Sequence, residues 1–448
     1  MSAFANTLSD RERRRARIHA YFACYFGCIS EIMLDTSAII ILYIGMLGGG
    51  GSLMMLVTSI TGMLGMATMI PCTTIIDRIG MRKSMIVSCL TACVGFVLMG
   101  AAPCFGTAAQ LPVAFFGCFL YCLQRSLYGV AWYPMLDAFL RPEDRGSFFG
   151  TMRWTYLLLS WVIFFGFGKM MGKEPPLWMM QTIIAVTGLL VLGRLFCILQ
   201  FPEDTGERPR HRPLREALSI AIHNGSLTSY SVYVCLFNFC SGTLIPLSYV
   251  YLKEYVKLGA DQVQIFSTVL IAGSAIGYFT YGFLLRRLKI KRMELLVHLL
   301  VVGVALTFFA VGKENAAVSL PICGSFRIGN LFYWIIGIAY FCCGFSDACY
   351  RCNNSSEMLA LATPGNKPMA SAFLQTYQYA GNFFSRVLST LILGAGMLAP
   401  TWELGGRTVS RYQSIFLACG VLGLILLLVL PTLPSMVSHR QDYYDEMR

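Results

Sequence analysis

Residues 73–83 read TTIIDRIGMRK and form a short charged turn between two long apolar runs. An Asp, two Arg and a Lys are costly in hydrocarbon, so we expect this turn at a membrane surface with a spanning helix on each side. The whole chain supports this interpretation, because 56% of its 448 residues are hydrophobic, only 13% are charged and the mean hydropathy is +0.62. The sequence therefore predicts an all-α polytopic membrane protein without a separate soluble domain.

Two turns of the first half of the chain are echoed in the second half. The segment RPEDRGSFFG at 141–150 is matched by TPGNKPMASA at 363–372. The turn at 73–83 is matched by a basic set: Gly282, Arg286, Arg287, Lys289, Lys291 and Arg292. Because the matched turns follow the same order, they predict a duplicated six-helix unit.

The pattern D-R-x-G-x-R-K is carried by Asp77, Arg78, Gly80, Arg82 and Lys83. It resembles the signature loop between the second and third helices of the major facilitator superfamily of secondary transporters. The resemblance implies twelve transmembrane helices in two pseudo-symmetric six-helix bundles, with both termini cytoplasmic. It also implies transport by alternating access, with helices 1, 4, 7 and 10 lining a central cavity.

The net charge of +12 reflects membrane topology rather than nucleic-acid binding. With the amino terminus inside, 22 of the 35 Lys and Arg fall on the predicted inner side, eight on the outer side and five within helices. This bias places both termini in the cytoplasm. The predicted organisation is a basic arm at 1–17, an N-terminal bundle at 18–201, a linker at 202–225, a C-terminal bundle at 226–431 and a tail at 432–448.

Six charged residues lie in the middle of predicted helices, where each would cost about 2.5–3.5 kcal/mol if it faced lipid. We expect them to face a polar interior and to pair with one another, three acids against three arginines. The first helix carries Glu31 and Asp35, the fourth Arg125, the tenth Asp347 and Arg351, and the eleventh Arg386.

Glu31 and Asp35 are four residues apart and share one helix face. Two carboxylates one turn apart repel each other, so one of them is expected to hold a proton near neutral pH. This pattern predicts proton coupling, and sodium coupling through Asp35 with Thr36 or Ser37 is the alternative. His298 lies near a helix entrance and is interpreted as a packing residue.

Arg125 offers planar, bidentate donors for a carboxylate or a phosphate. Asp347, Arg351 and Arg386 complete the predicted substrate site, with an intrahelical brace between Asp347 and Arg351 as the alternative. Three further side chains beside this site are expected either to contact a solute or to pack: Tyr128, Trp132 and Asn238.

An inner gate is predicted from the charged turns and from Arg153, which lies about two turns from the inner surface on the fifth helix. Arg153 is expected either to snorkel or to close this gate with Asp77 or Glu357. The predicted gate comprises Asp77, Arg78, Gly80, Arg82, Lys83, Arg145, Arg153 and Glu357.

The chain carries no P-loop, HExxH or GxSxG pattern, so no enzyme activity, cofactor or metal is predicted. Most of the 17 Cys lie in apolar helices and are expected to pack as small residues. Only Cys104 and Cys323 fall in predicted outer loops, and their pairing stays open.

The sequence predicts a monomeric secondary transporter in the inner, cytoplasmic membrane of the cell. Its partners are protons, the lipid bilayer and a small polar organic solute, with an organic anion or a sugar favoured and inward proton symport as the mode. Two alternatives fit the same pattern. One is an exporter of amphiphilic compounds by proton antiport, and the other is a receptor or scaffold that keeps the fold without transport.

Overall fold

The computed structural model describes residues 8–137, 139–140, 142–202, 213–312, 320–323, 326–328, 331–363 and 366–430. The first half contains α1 (Asp10–Asp35), α2 (Ile39–Met46), α3 (Gly51–Ile79), α4 (Met81–Ala101), α5 (Gln110–Asp137), α6 (Pro142–Met171) and α7 (Leu177–Leu199). The second half contains α8 (Leu214–His223), α9 (Gly225–Ser241), α10 (Leu244–Val250), α11 (Ala260–Ala310), α12 (Leu331–Leu361), α13 (Lys367–Gly394) and α14 (Arg411–Val429).

The number of helices that can span a membrane is consistent with the twelve predicted spans. Among the described residues, nine helical segments are long and apolar enough to cross a membrane, and the bent pair α1 and α2 makes a tenth. The 51-residue α11 contains non-helical backbone at Lys289, so it comprises two successive helices. The 28-residue α13 is more polar, and it packs against α3 inside the molecule. This arrangement fits twelve spans.

The turn at 73–83 and its match in the second half have similar backbone conformations. Gly80, between α3 and α4, has φ 93° and ψ 151°. Lys289, between the two helices of α11, has φ 59° and ψ 164°. A glycine tolerates positive φ without steric cost, whereas a side chain at this position is strained. The duplicated turn therefore keeps its shape although the second copy has lost the glycine.

The first predicted helix, which carries Glu31 and Asp35, differs from the structure because it breaks in the middle. The bend between α1 and α2 is 54°, and it directly follows Asp35. The Ser37 hydroxyl donates to the Met33 carbonyl at 3.0 Å and accepts from the Ile39 amide at 3.3 Å. A short polar side chain that bonds the local backbone competes with the helix ladder, which explains the break.

The seventh predicted span is interrupted as well. It divides into α9 and α10 at residues 242–243, and a π-helical turn at Tyr251–Tyr255 follows α10. The Gly242 amide still bonds the Asn238 carbonyl at 2.8 Å, but Pro246 has no N–H to continue the ladder. Broken helices near the membrane midplane are a feature of substrate sites in transporters.

Close helix packing joins the two halves along α3 and α13. A Cβ on Gly62 would lie 2.9–3.0 Å from Phe383, and a Cβ on Gly65 would overlap the Tyr379 ring. Glycines at such crossings allow helices to approach closely. The helices α6 and α11 form the other main contact between the halves.

At the predicted outer end, main-chain hydrogen bonds also join the halves. The Ala260 amide donates to the Lys173 carbonyl at 2.9 Å, and the Asp261 amide donates to the Gly172 carbonyl at 3.0 Å. At the break in the first span, the Tyr249 hydroxyl of the second half donates to the Thr36 carbonyl of the first half at 2.6 Å. The outer ends of the two halves are therefore closed against each other.

Several short elements were not predicted. Two antiparallel hairpins lie in predicted outer loops, β1 (Leu320–Cys323) with β2 (Phe326–Ile328) and β3 (Thr401–Leu404) with β4 (Arg407–Ser410). Within the predicted linker, α8 is a short helix whose Ala217 carbonyl accepts from Asn366 at 2.9 Å. Cys104 is exposed and free, and the side chain of Cys323 lies outside the described part of the chain.

Candidate functional site

Asp35 and Arg125 form an ion pair between α1 and α5. Asp35 is the last residue of α1, so its carboxylate projects where the helix breaks. The two side chains are 22% and 19% exposed, so the pair borders open space inside the span. Asp35 also acts electrostatically on Arg351 and Arg386 in the second half of the chain.

Glu31 pairs with Arg194 of α7 rather than with an arginine of the predicted set. Arg194 Nη2 donates to Glu31 Oε1 at 2.6 Å, and Arg194 Nε donates to the Ala23 carbonyl at 3.1 Å. The guanidinium occupies the space that a Cβ on Gly27 would fill. Each carboxylate of the predicted coupling pair therefore has its own arginine.

Tyr128 and Trp132 support this second ion pair. The Arg194 guanidinium carbon lies 4.1 Å from the centre of the Tyr128 ring, in cation–π geometry. Tyr128 and Trp132 stack with their ring centres 5.4 Å apart, and both are buried. The Tyr128 hydroxyl has no hydrogen-bond partner among the described residues.

Asp347 and Arg351 pair along α12, with 2.7 Å between Arg351 Nε and Asp347 Oδ2. Their side chains are 46% and 48% exposed although they lie in the middle of a predicted span. Such exposure, within a segment apolar enough to cross a membrane, indicates a water-accessible cavity.

Asn238 is buried in a chain of polar side chains that links α9, α12 and α13. Its Nδ2 donates to Tyr350 Oη at 2.7 Å and to the Val234 carbonyl at 2.8 Å. Its Oδ1 accepts from Asn382 Nδ2 at 3.2 Å. The predicted role of Asn238 in binding solute stays a prediction.

Arg386 bonds main-chain oxygens on both halves. Its Nε donates to the Gly242 carbonyl at 2.9 Å, where the seventh span is broken, and its Nη1 donates to the Thr58 carbonyl of α3 at 2.5 Å. Among the described residues, no carboxylate pairs with Arg386. The expected balance of three acids against three arginines therefore changes to three acids against four, because Arg194 joins the set.

The predicted gate residues occupy several different environments. Arg82 Nη2 donates to the Leu199 carbonyl at 2.6 Å and ties α4 to the end of α7. Arg153 Nη1 lies 3.8 Å from Cys352 Sγ, and its guanidinium lies 5.5 Å from the Tyr278 ring centre, so it bridges the two halves. Arg78 and Lys83 are exposed, Glu357 is buried, and the side chains of Asp77 and Arg145 lie outside the described part of the chain.

Charged pairs inside apolar helices, in two helical halves that meet at one end, are the arrangement expected of a polytopic membrane transporter. The model of the Major Facilitator Superfamily matches residues 22–385. The chain belongs to this superfamily and is a transporter rather than an enzyme. The family and fold predicted from the sequence are therefore confirmed.

Solved structures show the same fold at low sequence identity. The crystal structure of the nucleoside transporter NupG has a TM-score of 0.63 and 11% identity, covering 94% of this chain and 98% of that one. The crystal structure of a D-xylose-proton symporter has a TM-score of 0.68 and 10% identity, covering 95% and 98%. No curated protein matches the sequence.

Proposed function

We propose that this protein imports a small organic anion together with protons across the cytoplasmic membrane, as a monomer and by alternating access. The observation that carries the choice of an anion is Arg386. It brings a positive charge into electrostatic reach of Asp35 and Arg125, and no carboxylate balances it among the described residues. A bound carboxylate or phosphate would restore neutrality in the cavity.

The proposed coupling works through competition for arginine. In the structure, Asp35 is paired with Arg125. When Asp35 takes up a proton, its charge is lost and the planar guanidinium becomes available for a bidentate contact with the anion. Glu31 is the second proton acceptor, and its bond to Arg194 would respond in the same way. Arg351, held by Asp347, contributes to the anion site from the other half.

The proposed conformational step separates contacts that now join the halves. The closed outer ends and the half-exposed Asp347 and Arg351 support an inward-facing state. Because Arg386 lies in the second half and bonds Thr58 of the first, rocking of the halves must break this bond, whereas the bond to Gly242 lies within the second half. The D-xylose-proton symporter with the same fold offers a precedent for proton coupling.

The test is solute-driven proton movement in proteoliposomes, with panels of carboxylates, phosphorylated compounds, sugars, nucleosides and amino acids. An anion should drive alkalinisation outside, and Asp35→Asn and Glu31→Gln should abolish this signal. Arg386→Met should raise the KM for the anion about 10-fold or more, which corresponds to the loss of a charge-assisted contact. The control is Arg287→Met, because Arg287 is exposed and lies against Phe283 in the predicted inner turn.

Two results would contradict the proposal. Uptake of a neutral sugar with unchanged KM in Arg386→Met would remove the argument for an anion. Uptake without proton movement, unaffected by Asp35→Asn, would assign the coupling to another ion or to none.

A further inference from the structure

Glu294, in the second helix of α11, is a buried acid outside the charged cavity. It is 1% exposed, and it contacts side chains from two other helices. Tyr233 Oη of α9 is hydrogen-bonded to its Oε1 at 2.7 Å, and Asn353 Nδ2 of α12 donates to its Oε2 at 2.8 Å. No lysine or arginine pairs with Glu294 in the described part of the chain.

His298 lies one helical turn after Glu294 and extends the same network. Its Nδ1 is 3.1 Å from Tyr233 Oη, and the two rings stack with centres 5.6 Å apart. His298 is 1% exposed, and its Nε2 has no hydrogen-bond partner among the described residues. The order of contacts is therefore carboxyl, phenol and imidazole, and the imidazole Nε2 ends the series.

The surroundings supply no compensating positive charge within the described part of the chain. The titratable or charged groups that face the network from neighbouring helices are Tyr230 of α9, Tyr281 of the first helix of α11, and Tyr350 and Glu357 of α12. Tyr281 reaches it through Asn353, whose Oδ1 accepts from Tyr281 Oη at 2.8 Å. An isolated carboxylate in such a place is costly, so the neutral acid is the stable form.

We propose that Glu294, Tyr233 and His298 form a proton-binding site, separate from the cavity, in which one proton is held and can move between the acid and the imidazole. With the proton on Glu294, its O–H donates to Tyr233, and the Tyr233 O–H donates to His298 Nδ1. The Glu294 proton then moves to Tyr233 while the Tyr233 proton moves to His298 Nδ1. After this step, Tyr233 donates to the Glu294 carboxylate and His298 Nδ1–H donates to Tyr233. No proton is gained or lost in this step, which leaves a carboxylate and an imidazolium.

The position of Asn353 links this site to the moving parts of the molecule. Asn353 bonds Glu294, and it lies on α12 only two residues after Arg351 of the cavity. A shift of α12 would therefore change the hydrogen bonds available to Glu294. This link rests on the function proposed above, whereas the proton-binding site itself does not.

The test is infrared spectroscopy of the purified full-length protein in detergent at neutral pH, without any solute. The C=O stretch of a protonated carboxylic acid is resolved from the amide bands and from ionised carboxylates. We expect this band in the wild type, its loss in Glu294→Gln and its retention in Glu31→Gln, because Glu31 is paired with Arg194. Tyr233→Phe should keep the band and shift it to higher frequency, because one hydrogen bond to the acid is removed.

Absence of the band in the wild type, or a band of undiminished intensity in Glu294→Gln, would overturn the proposal. If Glu294→Gln does not yield folded protein, Tyr233→Phe decides, and an unshifted band would then refute the assignment to Glu294. Because no transport is measured, failure of this experiment is distinguishable from failure of the proposed symport.

Discussion

Arg194 reaches Glu31 from a different helix, with 2.6 Å between Nη2 and Oε1, and it crosses α1 where Gly27 leaves room. The bond joins α7 to α1 four residues before the break at Asp35. It therefore holds one of the two proposed proton acceptors against α7.

The first prediction concerns Gly27→Ala. The new Cβ would overlap the guanidinium, so Arg194 must leave Glu31, and we expect a loss of about 1–3 kcal/mol of stability together with impaired proton-coupled uptake. Thermal unfolding in detergent and uptake in proteoliposomes measure the two effects. Gly166→Ala in α6 is the control, since nothing lies within 4 Å of the added carbon. Equal behaviour of the two variants would refute the crowding argument.

The second prediction concerns the strained turn in α11. Lys289→Gly should stabilise the protein by about 1–2 kcal/mol, after allowing for the greater freedom of glycine in the unfolded chain. Gly80→Ala should destabilise it, because Gly80 has φ 93° in the matching turn. The melting temperatures of both variants, measured by thermal unfolding, are compared with that of the wild type. A lower melting temperature for Lys289→Gly would show that the Lys289 side chain contributes more than the strain removes.

The third prediction concerns the outer closure. Tyr249→Phe removes the hydrogen bond to the Thr36 carbonyl, worth about 0.5–1.5 kcal/mol, and should shift the population towards outward-open molecules by about 2- to 10-fold. Spin labels at Ala108 and Glu403, both in exposed outer positions, can report the separation of the halves in a background without native cysteines. Tyr251→Phe is the control, because its hydroxyl bonds Val311 within the second half. An unchanged distance distribution in Tyr249→Phe would exclude a role in closure.

The fourth prediction concerns pH and the start of α1. The Ser9 side chain and backbone both bond the Glu12 carboxylate, and they hold the pKa of Glu12 below its usual range. Because this pKa is lower in the folded state, the stabilising effect is present above the unfolded value and is lost as the pH falls through the folded value.

Hydrogen exchange of the amides in the first turn measures this effect. Protection should fall on acidification in the wild type and should depend less on pH in Glu12→Gln, which keeps an acceptor without a titrating charge. The same pH dependence in both proteins would show that the capping contact does not control the end of this helix.

The sequence carried enough information to predict the family, the helical architecture and the presence of charges inside the spans. The charged turn at 73–83 and its copy predict two related halves, and Asp35 and Arg125 do meet. Charges in spans are informative because lipid tolerates them poorly, so their presence alone predicts a polar interior.

The partners of those charges depend on details that the spacing of residues does not reveal. Arg194 was not among the charges assigned to the cavity, yet it pairs with Glu31 because Gly27 opens a path across α1. Arg386 bonds the Gly242 carbonyl at a break in the seventh span, and such a partner is a backbone atom that any residue could supply. The D-T-S sequence after Leu34 and the G-T pair at 242–243 were available signals for the two breaks, since these residue types cap and interrupt helices.

The halves meet at the outer end through main-chain atoms of Gly172, Lys173, Ala260 and Asp261. Bonds of this kind do not depend on side-chain identity, so substitutions at Lys173 and Asp261 can accumulate without altering how the two halves dock, whereas Gly172 has φ 63° and Ala260 is buried. The charged side chains of the cavity lie on other elements, so substitutions among them leave these main-chain bonds in place. A transporter built in this way can acquire a new substrate over evolutionary time while it retains the same mechanical cycle.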